Sequence, residues 1–233
     1  MKLHFDVGAV LQGSDGTRFA QGLLLTLEIA LAAWLLAMLL GVALACLRLT
    51  RNRIAAAAVA GFVAYHRNVP MLVQVLFWYF GISTILPTGM QNLLNDYNGQ
   101  AIFSVIAIGC CSGAYLCEDI RSGLRSIPAG QFEASRALGL NFARSMRFVI
   151  LPQALRNAIP SMINHTVLLF KNTSLAMAIG AAELTYTSRA IENETFLSFE
   201  TYFVATVLYL AISLLVMGAG AMLEQRVRLA GAR

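Results

Sequence analysis

From Phe19 to Leu47 the chain carries a single charged side chain, Glu28, over a length greater than the roughly 20 apolar residues with which a helix crosses a bilayer. A backbone in hydrocarbon must satisfy its own polar groups, so a run of this kind specifies a spanning helix. Comparable runs recur. A second begins near Ile54, is interrupted at Tyr65-His66-Arg67-Asn68-Val69-Pro70 and resumes from Met71 to Leu86, with Pro70 expected to bend or break it. A third covers about Ala101 to Cys117, a fourth about Ile159 to Ala182, and a fifth about Thr201 to Met222. The fourth contains His165, Lys171, Asn172, Thr173 and Ser174, so a uniform lipid-facing helix is not expected there. With 58% hydrophobic and 12% charged residues among 233, the chain reads as an all-α integral membrane protein of about five transmembrane helices. One membrane domain, 1–233, is expected, with a membrane-spanning core over 19–223.

The basic residues fix an expected topology. Arg48, Arg51 and Arg53 follow the first span; Arg121, Arg125, Arg136, Arg144, Arg147 and Arg156 fill the stretch between the third and fourth; Arg226, Arg228 and Arg233 follow the fifth. By the positive-inside rule these twelve of the seventeen Lys and Arg are cytoplasmic, which puts the N-terminus outside and the C-terminus inside. Residues 87–100 carry no Lys or Arg and suit an external loop, as does the stretch holding Glu183, Glu192 and Glu194. The first apolar run is too long and begins too late for a cleavable signal.

Several function classes fall away. A net charge of +5 raises the question of nucleic acid, but the basic residues lie at the ends of apolar runs and form no patch interleaved with aromatics. Cys46, Cys110, Cys111 and Cys117 have no metal-site or disulfide spacing and read as small core residues. His4, His66 and His165 fall on different segments, with no Ser-His-acid set and no metal site. No P-loop is present, so any ATP must be used by another subunit.

The segment 128–152, between the third and fourth spans, carries a local helix signal. Pro128 can open a helix, Gln131 to Leu138 favour one, and Gly139 can close it in a left-handed cap. A helix of about 12 Å is marginal alone in water and needs a supporting surface. Glu133-Ala134-Ser135-Arg136-Ala137-Leu138-Gly139 followed by Ile150-Leu151-Pro152 resembles the EAA loop of ABC importer permeases. The resemblance implies the type I importer fold, a cytoplasmic coupling helix seated in a groove on an ABC ATPase dimer, and no covalent chemistry by this chain. Its contact residues would be Phe132, Ala134, Ala137 and Leu138, with Glu133 and Arg136 orienting it. An amphipathic helix lying on the membrane surface is the alternative from periodicity alone.

Two further stretches resemble the polar amino-acid permeases: Arg67-Asn68-Val69-Pro70-Met71-Leu72-Val73-Gln74 with Trp78-Tyr79-Phe80-Gly81, and Gly113-Ala114-Tyr115-Leu116-Cys117-Glu118 with Arg121-Ser122-Gly123. Phe170-Lys171-Asn172-Thr173-Ser174-Leu175 and Glu183-Leu184-Thr185 are most similar to permeases of glutamate/aspartate importers. This implies a multi-pass protein of the bacterial inner membrane. Its partners would be a second permease subunit, an ATPase and a periplasmic or extracellular amino-acid-binding protein.

Charge within a membrane is costly, so Arg67, Glu118 and Lys171 are expected to face the bundle interior, a cavity or one another. Together with Asn68, Gln74, His165 and Asn172 they are the candidate substrate-pathway residues. A zwitterion's carboxylate needs a cation or free backbone N–H groups at a helix break, and Arg67 beside Pro70 and Lys171 beside Asn172-Thr173-Ser174 offer both. The structural alternatives are that Arg67 and Lys171 bind helix-end carbonyls or pair with Glu118, and that Gln74 and His165 pack between helices. In the family the position of His165 is often acidic; histidine here removes a negative charge, which suits an anionic ligand. An ion-coupled carrier with Glu118 and His165 as a relay, or a non-transporting scaffold, are the competing functions.

Overall fold

The computed structural model describes residues 7–50 and 52–227; Lys2, His4, Arg51, Arg228 and Arg233 of the charge pattern lie outside the described residues. A short helical turn, Val7–Leu11, precedes α1 (Gly13–Arg48). Next come α2 (Arg53–Asn68), α3 (Met71–Ile85), α4 (Thr88–Asp96), α5 (Gly99–Arg125) and α6 (Ala129–Ala137). Then follow α7 (Phe142–Ile179), α8 (Leu184–Thr195) and α9 (Ser198–Val227). No strand occurs among the described residues. Three helices, α1, α5 and α9, are long and apolar enough to cross a membrane alone. Two bent pairs, α2 with α3 at 110° and α7 with α8 at 50°, bring the number of candidate spans to five.

The break before Pro70 forms where the sequence places it, because proline lacks an N–H and disfavours helical geometry at Val69, which adopts ψ 131. Two expectations need correction. Residues 87–100 are not a plain loop, since α4 occupies most of them behind Pro87 at its N-cap position. The helix placed at Ile159–Ala182 starts far earlier, at Phe142, and its axial run ends at Ile179. It passes through Pro152 because a π-helical turn, Met146–Ile150, widens the spiral directly ahead of the proline ring. Its last part, Thr173–Ile179, tightens to 3₁₀ and stops at Gly180, φ 83.

The centre of the fold is the contact between α1 and α5. Gly109, Gly113 and Leu116 of α5 meet Leu36, Leu40 and Gly41 of α1 in ascending order, so the two helices run parallel. Ala33, Ala37 and Gly41 recur every fourth residue and are buried, which brings the backbones together without large side chains. Helix α7 runs antiparallel to both: Gly123 abuts Ala154, Asp119 bonds Ser161 and His165, and the Trp34 indole donates to Thr166 Oγ1 at 3.2 Å. Gly220 of α9 packs on Ile163 of α7. These directions gather Arg48, Arg125, α6 and Arg226 at one end of the bundle, with Arg18 and Glu194, paired at 2.7 Å, at the other.

A Cβ added at Gly41 would lie 2.8 Å from Leu116 Cβ and 3.2 Å from the Gly113 carbonyl. Gly41→Val is therefore expected to destabilise the bundle by about 1–3 kcal/mol through overpacking. Gly218→Val, where a Cβ meets nothing within 4 Å, is the matched control. Thermal unfolding in detergent separates them: a lowered midpoint for the first and an unchanged one for the second.

Candidate functional site

At the arginine-rich end, α6 is a nine-residue helix opened by Pro128 and closed by a complete Schellman motif. Gly139 N donates to Arg136 O at 3.0 Å and Leu140 N to Ser135 O at 3.1 Å, with Gly139 at φ 80. Arg136 Nη1 reinforces the turn by donating to Leu140 O at 3.1 Å. Ser135 is buried and donates to Phe132 O at 2.7 Å. Phe132 turns half inward to meet Phe142 edge-on at 5.8 Å. It is thus partly occupied within the chain, whereas Glu133, Ala134, Arg136 and Ala137 are exposed and Leu138, the C-cap, is 82% exposed.

A second feature is an open cavity of about 470 Å³ between α1, α2 and α5, lined by Arg48, Arg67, Asn68, Tyr115, Glu118 and Arg121 among others. Glu118 does not pair with Arg67 or Lys171. It accepts a short hydrogen bond from Arg48 Nη1, lies 3.3 Å from Arg121 Nη1 and 3.9 Å from Arg125 Nη2. Arg48 closes α1 and Arg121 follows Glu118 by one turn of α5, so the parallel packing of those helices sets the cluster. Arg67 lies over the Tyr115 ring, 5.4 Å from its centroid, with its guanidinium otherwise open to the cavity. Asn68 Nδ2 donates back to Ala64 O at 2.7 Å.

Gln74 is not presented to the cavity. Fully buried, it ties the α2–α3 bend together: its Nε2 donates to Val69 O at 2.8 Å and His66 O at 3.0 Å, while its Oε1 accepts from His66 Nδ1 at 2.6 Å. Those carbonyls lose helical partners at the break, and the amide replaces them. Cys111 of α5 donates to the same His66 carbonyl at 3.2 Å. The bend that holds Arg67 and Asn68 is thus fixed from both sides.

His165 does not reach Glu118, so the proposed relay between them is absent. Its partner is the neighbouring acid, Asp119, at 2.6 Å from Nδ1; Asp119 also accepts from Ser161 at 2.6 Å and is buried. Lys171 is exposed and makes no side-chain bond among the described residues; Asn172 beside it is half-buried. Glu28, also exposed, interrupts a ridge of exposed leucines, Leu24, Leu31, Leu35 and Leu39. No cluster of three or more metal-ligating side chains occurs among the described residues.

Residues 37–229 match the family described as binding-protein-dependent transport system inner membrane component. The chain belongs to this family. The glutamate/aspartate import permease protein GltJ of Escherichia coli K12 is 30% identical to this permease, covering 90% of it and 87% of GltJ. The histidine/lysine/arginine/ornithine transport system permease protein HisM of Salmonella typhimurium is 32% identical, with 91% of each chain covered. A solved amino-acid ABC transporter with histidines superposes at a TM-score of 0.81 and 28% identity, covering 97% of this permease and all of that chain. The permease is an inner-membrane component of an ABC importer of the polar amino-acid type.

Asp119 is the site residue that sequence reading missed. It sits four residues after Tyr115, on the same helical face, and Ser161 and His165 repeat that spacing on α7. A search for i, i+4 polar pairs on consecutive spans would have found it.

Proposed function

We propose that the permease forms, with a second permease subunit, the membrane pathway of an ATP-driven importer for a polar amino acid, and that the preferred cargo is acidic, glutamate or aspartate. It crosses the membrane five times, N-terminus outside and C-terminus cytoplasmic, and works by alternating access. An external binding protein delivers the amino acid, and a separate ATPase dimer drives the cycle through α6. The observation that carries the coupling role is the exposed, rigidly capped α6 at the arginine-rich end, with Leu138 unburied beyond its last turn. A nine-residue helix is marginal alone in water, which favours a docked partner over a free helix.

Relatedness does not choose the cargo, since GltJ and HisM are named for acidic and basic amino acids at similar identity. Charge supports the acidic reading: Arg48, Arg67 and Arg121 face one carboxylate, Glu118, in the cavity wall, which favours an anionic ligand. Arg67, Asn68, His165, Lys171 and Asn172 are the side chains assigned to the pathway; Glu118 sets its charge and Gln74 fixes the bend that carries Arg67. Reconstituted complex, with its ATPase and binding protein, is expected to take up labelled glutamate, with aspartate competing better than histidine or arginine. Preferential competition by arginine overturns the cargo.

Arg67→Gln is expected to lower uptake about tenfold while the complex assembles and hydrolyses ATP, because the lost cation–π contact contributes only about 0.5–2 kcal/mol to the fold. Loss of ATPase assembly in that variant would make Arg67 structural.

A further inference from the structure

Two pairs of side chains face each other between α5 and α7, each at i, i+4 spacing: Tyr115 with Asp119, and Ser161 with His165. The buried Asp119 carboxylate receives the Ser161 hydroxyl through one oxygen and His165 Nδ1 through the other, both at 2.6 Å. An ionised carboxylate only accepts, so the imidazole is fixed as the Nδ1–H donor and its plane is set. That plane lies against the Tyr115 ring, centroids 4.8 Å apart and tilted by 35°. The same Tyr115 ring carries Arg67, 5.4 Å from its centroid, at the cavity wall. One buried carboxylate is thus linked, through two ring contacts, to a guanidinium on the cavity wall.

We propose that Asp119 is a positioning residue of the transport pathway: it orients His165, His165 orients Tyr115, and Tyr115 presents Arg67 to the cargo. This rests on the pathway reading above. The chain Asp119–His165–Tyr115–Arg67 joins α7, α5 and the α2–α3 bend, so a shift of α7 along α5 re-aims Arg67 without any change in the cavity's own backbone.

The test uses the assembled importer with its ATPase and binding protein, reading labelled glutamate taken up per ATP hydrolysed. Asp119→Leu is expected to lower that ratio about tenfold, because the imidazole loses its anchor. Asp119→Asn is expected to keep roughly half or more, since its carbonyl can accept from His165 and its amide can donate to Ser161. Wild-type coupling in the leucine variant, or an asparagine variant as impaired as leucine, overturns the proposal. If the leucine variant does not assemble, Tyr115 decides: Tyr115→Phe, which keeps both ring contacts, is expected to take up about tenfold more glutamate per ATP than Tyr115→Leu, which loses them, and equal behaviour of the two overturns the proposal. Ring-nitrogen NMR of His165 reads the anchor without transport. Nδ1 is expected to be the protonated nitrogen in wild type and the asparagine variant, and mixed tautomers in wild type overturn the proposal. A wild-type complex that takes up no glutamate, aspartate, histidine or arginine refutes the function instead, leaving the NMR result to judge Asp119.

Discussion

Replacing Gly139 with valine is expected to leave ATP hydrolysis by the assembled complex near wild type and to cut uptake per ATP hydrolysed about tenfold. The residue sits at φ 80, where an L side chain is strained, and an added Cβ would meet nothing within 4 Å. The effect is therefore one of backbone conformation alone. A non-glycine residue in the left-handed region costs about 1–2 kcal/mol, and β-branching adds to that. Helix α6 is too short to absorb the strain, since nine residues form little more than two turns. The chain is expected to leave φ 80, giving up the bonds from Gly139 to Arg136 and from Leu140 to Ser135. Leu138 then points elsewhere, and a lever whose tip has moved transmits less of the ATPase stroke. Gly139→Asn, which tolerates the left-handed region, is expected to retain most coupling. Gly130→Ala serves as the control, with open space around its Cβ and ordinary φ. Valine and asparagine variants that couple equally well would remove α6 from the drive train.

The features legible in the sequence are those set by strictly local chemistry. Pro70 announces the bend, Pro128 and Gly139 bracket α6, and the long apolar runs announce α1, α5 and α9. The reach of α7 was hidden because the residues ahead of Ile159 are polar, rich in arginine and interrupted by Pro152, and a π turn before that proline lets the helix continue through it. Nothing in Met146–Ile150 marks that turn by composition. Helix α4 was hidden for a different reason: its apolar stripe, Met90, Leu93 and Leu94, spans little more than one turn, too short a period to stand out between two long apolar runs.

At the site, identity was legible and pairing was not. Arg67, Glu118 and His165 stood out as costly charges or polar groups in apolar surroundings. Which of them meet depends on the parallel register of α1 with α5 and the antiparallel register of α7, and these are tertiary facts. That register delivers Arg48 rather than Arg67 to Glu118, and Asp119 rather than Glu118 to His165. Gln74 was weighed as a ligand contact because its amide can donate and accept; the bend needs both capacities for its own carbonyls.

Glu118→Gln is expected to be the most destabilising single change in the cavity, by about 1–3 kcal/mol, because it strips the counter-charge from Arg48, which is largely covered, and from the more open Arg121 and Arg125. The side chains of Glu118 and Arg48 are 17% and 19% exposed, so water from the open cavity replaces only part of what the carboxylate supplies. Glutamine keeps the shape and one acceptor oxygen but leaves Arg48, Arg67 and Arg121 facing one another across the cavity. The measurable result is a lower unfolding midpoint in detergent and a lower yield of assembled complex. Adding Arg48→Met to the glutamine variant is expected to recover part of the loss, since removing both members of a pair costs less than stranding one. Arg67→Gln is expected to behave oppositely, losing transport with little loss of stability, because its guanidinium lies against a ring and pairs with no carboxylate among the described residues. A Glu118→Gln variant with wild-type stability and impaired uptake would move Glu118 from holding the cavity together to acting on the cargo. The contrast between these two substitutions therefore separates the charge that builds the cavity from the charge that uses it.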